Sequence, residues 1–155
     1  MAMAYLIASY AHKDQKYGEQ DYIVHVNMVR NKTHELFACG DYKRDFMLDD
    51  LACLHDVIED TELTIEDIRA KIGHKPYPVE QLIKALEAIT KQDQESREDY
   101  IARCVENPLA RKVKIADTLS NLECSIKSNN QRRISKYTNQ IKRIYELAIN
   151  SEWHD

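Results

Sequence analysis

Leu51-Ala52-Cys53-Leu54-His55-Asp56-Val57-Ile58-Glu59-Asp60-Thr61 joins an apolar run to four ionisable side chains. His55 and Asp56 offer one nitrogen and one oxygen ligand from adjacent positions. If a helix carries the whole stretch, Glu59 lies beside His55 and Asp60 beside Asp56 at i,i+4 spacing. Asp56 and Asp60 would then repel each other. Leu51, Ala52, Leu54, Val57 and Ile58 imply a helix largely packed inside, where unpaired charge is costly. A divalent cation would turn that repulsion into a binding site.

Outward from this stretch the periodicity is helical. With three Gly and three Pro in 155 residues, breaks are few and readable. A first helix is expected over 2–16, ending near Gly18, a second from Asp21 to Ala38, and a third from Lys43 to Glu59. Thr64-Ile65-Glu66-Asp67 resembles a capping box with Asp at its last position, and the helix it opens should stop at Gly73. Pro78 starts the next, to Ile89. Further helices cover Ser96–Glu106, 109–127 and 131–150. Ile134, Tyr137, Ile141, Ile144 and Ala148 form an apolar stripe on the last. No strand shows period-2 alternation, and there is no repeat or low-complexity linker. The expected fold is all-α, one helical bundle across residues 1–155.

The length suits a single domain with a real core. A net charge of -4 and a pI of about 5.9 give no general polyanion-binding surface, so nucleic acid is not the expected partner. Cys39, Cys53, Cys104 and Cys124 form no CxxC pair and read as buried apolar residues in a reducing compartment. Met1–Ala11 lacks the basic start of a signal peptide and is too short to span a bilayer. A soluble, cytoplasmic protein with no membrane partner is expected.

Two further strings carry chemistry. In Val113-Lys114-Ile115-Ala116-Asp117-Thr118-Leu119-Ser120-Asn121, Asp117 and Asn121 share a helix face, with Lys114 one turn earlier. Asp117 offers another oxygen ligand; taken alone, a surface Asp with a polar neighbour explains it as well. In Tyr22-Ile23-Val24-His25-Val26, His25 is set among apolar residues, where a lone His is more often a hydrogen-bonded core residue. Together, His25, His55, Asp56 and Asp117 make a two-nitrogen, two-oxygen set. Such a set suits Mn, Fe or Zn better than Ca or Mg.

These strings resemble the HD-domain metal-dependent phosphohydrolases. More narrowly, they resemble the small, metazoan SpoT homologue-like alarmone hydrolases and the hydrolase domain of the RelA/SpoT-type enzymes. The shared elements run in the family's order: Ala11-His12 with Gln15, Tyr22-Ile23 with His25, His55-Asp56-x-x-Glu59-Asp60-Thr61, Ile89-Thr90-Lys91, and Val113-Lys114-x-Ala116-Asp117 with Asn121. They span about residues 7–125. An HD dipeptide alone is a weak signal; the ordered set is a strong one.

The resemblance implies one Mn(II) held by His25, His55, Asp56 and Asp117, with Glu59 and Asp60 handling the attacking water. It implies removal of pyrophosphate from the 3′ position of (p)ppGpp, leaving GDP or GTP. The chemistry is consistent. A divalent ion acidifies water and polarises a phosphoryl oxygen, a nearby carboxylate takes the proton, and Lys114, with Lys91 or Arg111, offsets phosphate charge. Lys16 stands where the family stacks an Arg on guanine, and Asn121 is a substrate contact.

The departures fall around the nucleotide. Lys16 lacks the planar guanidinium. Thr118 and Ser120 replace Arg and His, and Glu123 and Cys124 replace Arg and Thr; an acid at 123 facing the pocket would repel polyphosphate. Two alternatives therefore stand beside the alarmone. One is an HD phosphohydrolase acting on an adenine alarmone, NADPH or a nucleoside monophosphate. The other is a nucleotide-sensing, antitoxin-like binding protein. No synthetase domain is expected in a chain this short. His12, His34, His74 and His154 are expected to be structural or exposed, and Tyr100 and Tyr137 to belong to the core. Lys127, Arg132, Arg133 and Lys136 are expected to form a solvated face. Monomer and homodimer are both open, since Tyr145 and Trp153 could extend the last helix's stripe into an interface.

Overall fold

The computed structural model describes residues 2–152; Trp153 and His154 lie outside them. Nine helices and one two-stranded hairpin follow in the order α1 (Met3–Ala11), β1 (Lys16–Tyr17), β2 (Gln20–Asp21), α2 (Ile23–Phe37), α3 (Tyr42–Leu54), α4 (Val57–Asp60), α5 (Ile65–Lys71), α6 (Val79–Ile89), α7 (Arg97–Glu106), α8 (Pro108–Lys127) and α9 (Gln131–Glu152), counted among the described residues. The all-α reading holds.

Helix starts follow local chemistry. Asp41, Ser96 and Asn107 each accept backbone N–H groups of the turn they open, and Pro108 takes the first position of α8. Thr64 and Asp67 form a complete reciprocal capping box at α5, so Asp serves where Glu or Gln is usual.

α8 is the central helix and packs against α2, α3, α6, α7 and α9. Val113 through Thr118 are six consecutive buried residues, so this part of α8 is enclosed on all sides rather than amphipathic. Asp50 through Leu54 of α3, and His55 after them, are enclosed in the same way. One contiguous core links Leu51 and Leu54 of α3, Leu82 and Leu86 of α6, Val113 and Ala116 of α8, and Ile144 of α9. The α9 stripe closes this core as expected: Ile144 and Ala148 are buried and Ile134 and Ile141 half-buried.

Two helix expectations are corrected. The first helix ends at Ala11, not residue 16. Beyond it, Lys16 and Tyr17 pair antiparallel with Asp21 and Gln20 around Gly18, whose φ of +62° permits the tight turn. A pairing of two residues per strand is too short to show alternation. The expected helix 43–59 is two helices, with a turn at His55-Asp56 where Asp56 has φ −108° and ψ −1°. On a continuous helix neighbouring side chains diverge by about 100°. The turn lets both reach one point.

Candidate metal centre and active site

His25 from α2, His55 and Asp56 from the α3–α4 turn, and Asp117 from α8 converge. One ligand atom from each lies within 4.8 Å of the others. His25 Nε2 is 3.0 Å from Asp117 Oδ1, and His55 Nε2 is 2.9 Å from Asp56 Oδ2 and 3.6 Å from Asp117 Oδ1. Both histidines are almost wholly buried.

The second nitrogen of His55 fixes its direction. Nδ1 donates to the Ala52 carbonyl at 2.8 Å, so Nε2 faces the carboxylates. Nε2 is buried yet makes no hydrogen bond of good geometry. Burial alone would lower the His55 pKa, but Asp56 and Asp117 raise it well above the usual value. Burial likewise works against Asp56 and Asp117, yet His55 holds Asp56 at about 2, and Lys114 with the two histidines holds Asp117 well below the usual range. The carboxylates thus stay ionised, and with the two histidines they offer four ligand atoms that can hold a cation. The donor set fits a divalent transition metal, whose binding would displace the proton from His55.

Outer contacts orient the two carboxylates. Lys114 Nζ donates to Asp117 Oδ2 at 3.0 Å and lies 5.4 Å from the centre of the Tyr100 ring. Asn121 Nδ2 donates to Asp117 Oδ1 at 2.9 Å, while its Oδ1 accepts from the Tyr17 hydroxyl at 2.8 Å. The Tyr22 hydroxyl donates to Asp56 Oδ2. Burial, then the Asp56 charge, push the Tyr22 phenol up, so it remains a donor. The sequence reading missed Tyr17 and the hydroxyl role of Tyr22. Phenols that bond residues far along the chain leave no spacing signal, although Tyr22 stood inside a quoted motif.

Glu59 and Asp60 follow on α4. Glu59 accepts from the backbone N–H of Lys91, beyond the end of α6. Partial desolvation, followed by the nearby Asp56 charge, raises its carboxyl, although the Lys91 N–H acts the other way. Asp60 Oδ2 accepts from Gln15 Nε2 at 2.9 Å. The loop carrying Lys91 is clamped by Arg103, which bonds both carboxylate oxygens of Glu95 and the carbonyls of Glu87 and Thr90.

The remaining candidates divide. Lys91 meets Glu59 through its backbone N–H while its ammonium lies 3.5 Å from the Gln92 carbonyl, and Lys16 is exposed on the hairpin and paired with Asp21. Thr118 is turned away, bonded by Gln140 of α9 at 2.7 Å. Glu123 is neutralised by Lys32 at 2.7 Å. Arg133 is not part of a solvated face: its guanidinium lies over Tyr17 and Tyr137, 5.9 and 5.7 Å from the ring centres. Tyr100 is core, but Tyr137 is only half-buried. His12 is buried and His34 and His74 exposed. Of the cysteines, Cys53 and Cys104 are buried, but Cys39 is exposed in the α2–α3 loop and Cys124 half-buried. No described helix is long and apolar enough to cross a membrane.

No family model matches the chain. It is 29% identical over 149 residues to a guanosine-3′,5′-bis(diphosphate) 3′-pyrophosphohydrolase of Aquifex aeolicus, covering 86% of this chain and 20% of that one. It is 28% identical over 151 residues to the bifunctional (p)ppGpp synthase/hydrolase SpoT of Escherichia coli, covering 91% and 20%. The chain thus spans about a fifth of the length of these curated relatives. A solved structure of a metazoan orthologue of SpoT that hydrolyses ppGpp matches with a TM-score of 0.71 and 23% identity, over 94% of this chain and 83% of that one. The fold is that of the metazoan SpoT orthologue, and the ordered motifs and curated relatives make the chain similar to the HD-domain alarmone hydrolases.

Proposed function

We propose that this chain is a metal-dependent phosphohydrolase that removes the 3′-pyrophosphate of (p)ppGpp, releasing GDP or GTP. The observation that carries the reading is the convergence of His25, His55, Asp56 and Asp117 from three segments onto one point where a cation can be held. These four hold the ion, with Mn(II) as the native metal and one ion per chain. When bound, the ion supplies Lewis acidity at phosphorus and acidifies the attacking water.

This chain's own residues do the rest. Glu59, with a raised carboxyl beside the metal ligands, accepts the proton of the attacking water. Asp60, tied to Gln15, orients that water. Lys91 neutralises the pyrophosphate, and Lys114 keeps Asp117 ionised while offsetting phosphate charge. Asn121 holds Asp117 and Tyr17 in place at the substrate side. The whole chain acts as one such domain in the cytoplasm, on a small-molecule nucleotide, as a monomer or homodimer.

A second reading, hydrolysis of another nucleotide, is favoured by Lys16, which is paired with Asp21 instead of being free to stack on guanine. A panel of ppGpp, pppGpp, adenine alarmones, NADPH and nucleoside monophosphates with Mn(II) separates the two. Clear preference for the guanosine alarmones supports the first; preference for any other member replaces it with the second.

A further inference from the structure

His12 takes no part in the chemistry above, yet it is wired to one of its carboxylates. The ring is 2% exposed at the end of α1. Its Nδ1 lies 2.7 Å from Gln15 Oε1, and Gln15 Nε2 donates to Asp60 Oδ2 at 2.9 Å. Direction follows from the far end. An ionised carboxylate only accepts, so the Gln15 NH2 group faces Asp60 and its carbonyl faces His12. His12 Nδ1 must then carry a proton. Burial lowers the His12 pKa, which favours the neutral ring, and the Gln15 carbonyl places its single proton on Nδ1. Nε2 is buried without a partner among the described residues, so it offers no competing bond to turn the ring. The ring also packs on Tyr22, centroid to centroid 4.6 Å, and Tyr22 bonds Asp56.

Without the His12 donor, the Gln15 carbonyl loses its partner and only the bond to Asp60 still orients the amide. Flipped, it would set its carbonyl oxygen against Asp60, acceptor to acceptor. We propose that Gln15, held in one orientation by His12, is a positioning residue for Asp60: it occupies Oδ2 and leaves Oδ1 for the reacting water. This rests on the reading of Asp60 as a water-handling carboxylate.

The competing explanation is structural. Gln15 also shapes the turn before the hairpin through its backbone, donating to His12 O at 2.9 Å and accepting from Tyr22 N at 3.0 Å. Replacing the side chain spares those bonds. Gln15→Leu should lower kcat about tenfold with KM, metal content and melting temperature little changed. In an Asp60→Asn background, followed by single-turnover assays with enzyme in excess, Gln15→Leu should add nothing. His12→Asn, which keeps a donor near the Nδ1 position, should retain most activity, whereas His12→Leu should match Gln15→Leu. In the metal-free protein, nitrogen NMR should report the Nδ1–H tautomer of His12, and Asp60→Asn should shift the Gln15 side-chain amide. Multiplying losses in the double variant, or a proton on His12 Nε2 instead, overturn the proposal. If the unmodified protein turns over no nucleotide, the reading of the reaction fails, and the two NMR measurements still decide the hydrogen-bonded chain.

Discussion

Tyr17 lies nearly flat on His25, with ring centroids 4.5 Å apart and planes 20° from parallel. The contact compensates for something His25 lacks. His55 is oriented by a hydrogen bond from its second nitrogen to Ala52, but His25 Nδ1 has no hydrogen-bond partner among the described residues. Stacking fixes the plane of His25 where a hydrogen bond does so for His55. Tyr17→Phe should therefore keep Mn(II) affinity within a few-fold, and Tyr17→Ala should lower it by about 10- to 100-fold. Isothermal titration calorimetry on the metal-free protein measures both. Equal affinity in the Ala variant would show that the ring does not position the ligand.

Tyr22 supports the other side of the cluster through its hydroxyl on Asp56. Tyr22→Phe keeps the ring packing and removes the donor. A hydrogen bond to a charged group contributes about 1.5–3 kcal/mol, and partial exposure of Asp56 places the expected loss of stability near the lower end. Urea unfolding of the metal-free variant should show it, together with a measurable drop in metal affinity. An unchanged unfolding midpoint would contradict this.

The Arg103–Glu95 clamp predicts a pH-dependent stability. Hydrogen bonding to Arg103 holds the Glu95 carboxyl at about 2, below the usual Glu value. A depressed carboxylate pKa stabilises the fold above the unfolded-state value, and that contribution disappears as pH falls through the folded one. The melting-temperature difference between the unmodified protein and Glu95→Gln should therefore be full near neutrality and shrink from about pH 5 towards about pH 2. A difference independent of pH would remove Glu95 from the explanation. Because the clamp holds the loop that bonds Glu59, the same variant should also slow turnover.

Thiol chemistry should separate the four cysteines. Burial pushes the Cys53 and Cys104 thiols up to about 12, so almost no thiolate forms at neutral pH. Cys39 is exposed. A thiol-reactive disulfide reagent should label Cys39 at once in the native protein, and Cys53 and Cys104 only after unfolding. Rapid native labelling of either buried cysteine, located by mass spectrometry, would contradict the packing.

Much of this was legible in the residues. Gly, Pro and capping residues marked the ends of α5 through α9 within a few positions, because these signals are local. The convergence of His25, His55, Asp56 and Asp117 was expected from three separated strings. Two kinds of feature were not legible. The turn at His55-Asp56 interrupts an apolar run that carries no Gly or Pro, and it exists because tertiary convergence overrides helix propensity. The second is orientation on α8: Thr118 and Glu123 look like pocket substitutions in one dimension. In the fold, Thr118 meets Gln140 and Glu123 meets Lys32, partners 22 and 91 residues away. Arg133, assigned to a solvated face by its charged neighbours, instead covers Tyr17.

Glu59 tests the division between holding metal and moving protons. Glu59→Gln should bind Mn(II) as the unmodified protein does and lower kcat strongly, because it removes a base rather than a ligand. His55→Ala and Asp117→Ala should lose metal and turnover together. Metal analysis of the three variants checks this. Full metal content in both alanine variants would refute the four-ligand site.

The central claim is cleavage at the 3′-pyrophosphate by this metal-dependent site. Phosphorus NMR of ppGpp incubated with the purified protein and Mn(II) reads the products directly. Pyrophosphate and GDP in equal amounts, abolished by His55→Ala, are the predicted result. GDP accompanied by inorganic monophosphate, or intact ppGpp, would contradict the claim.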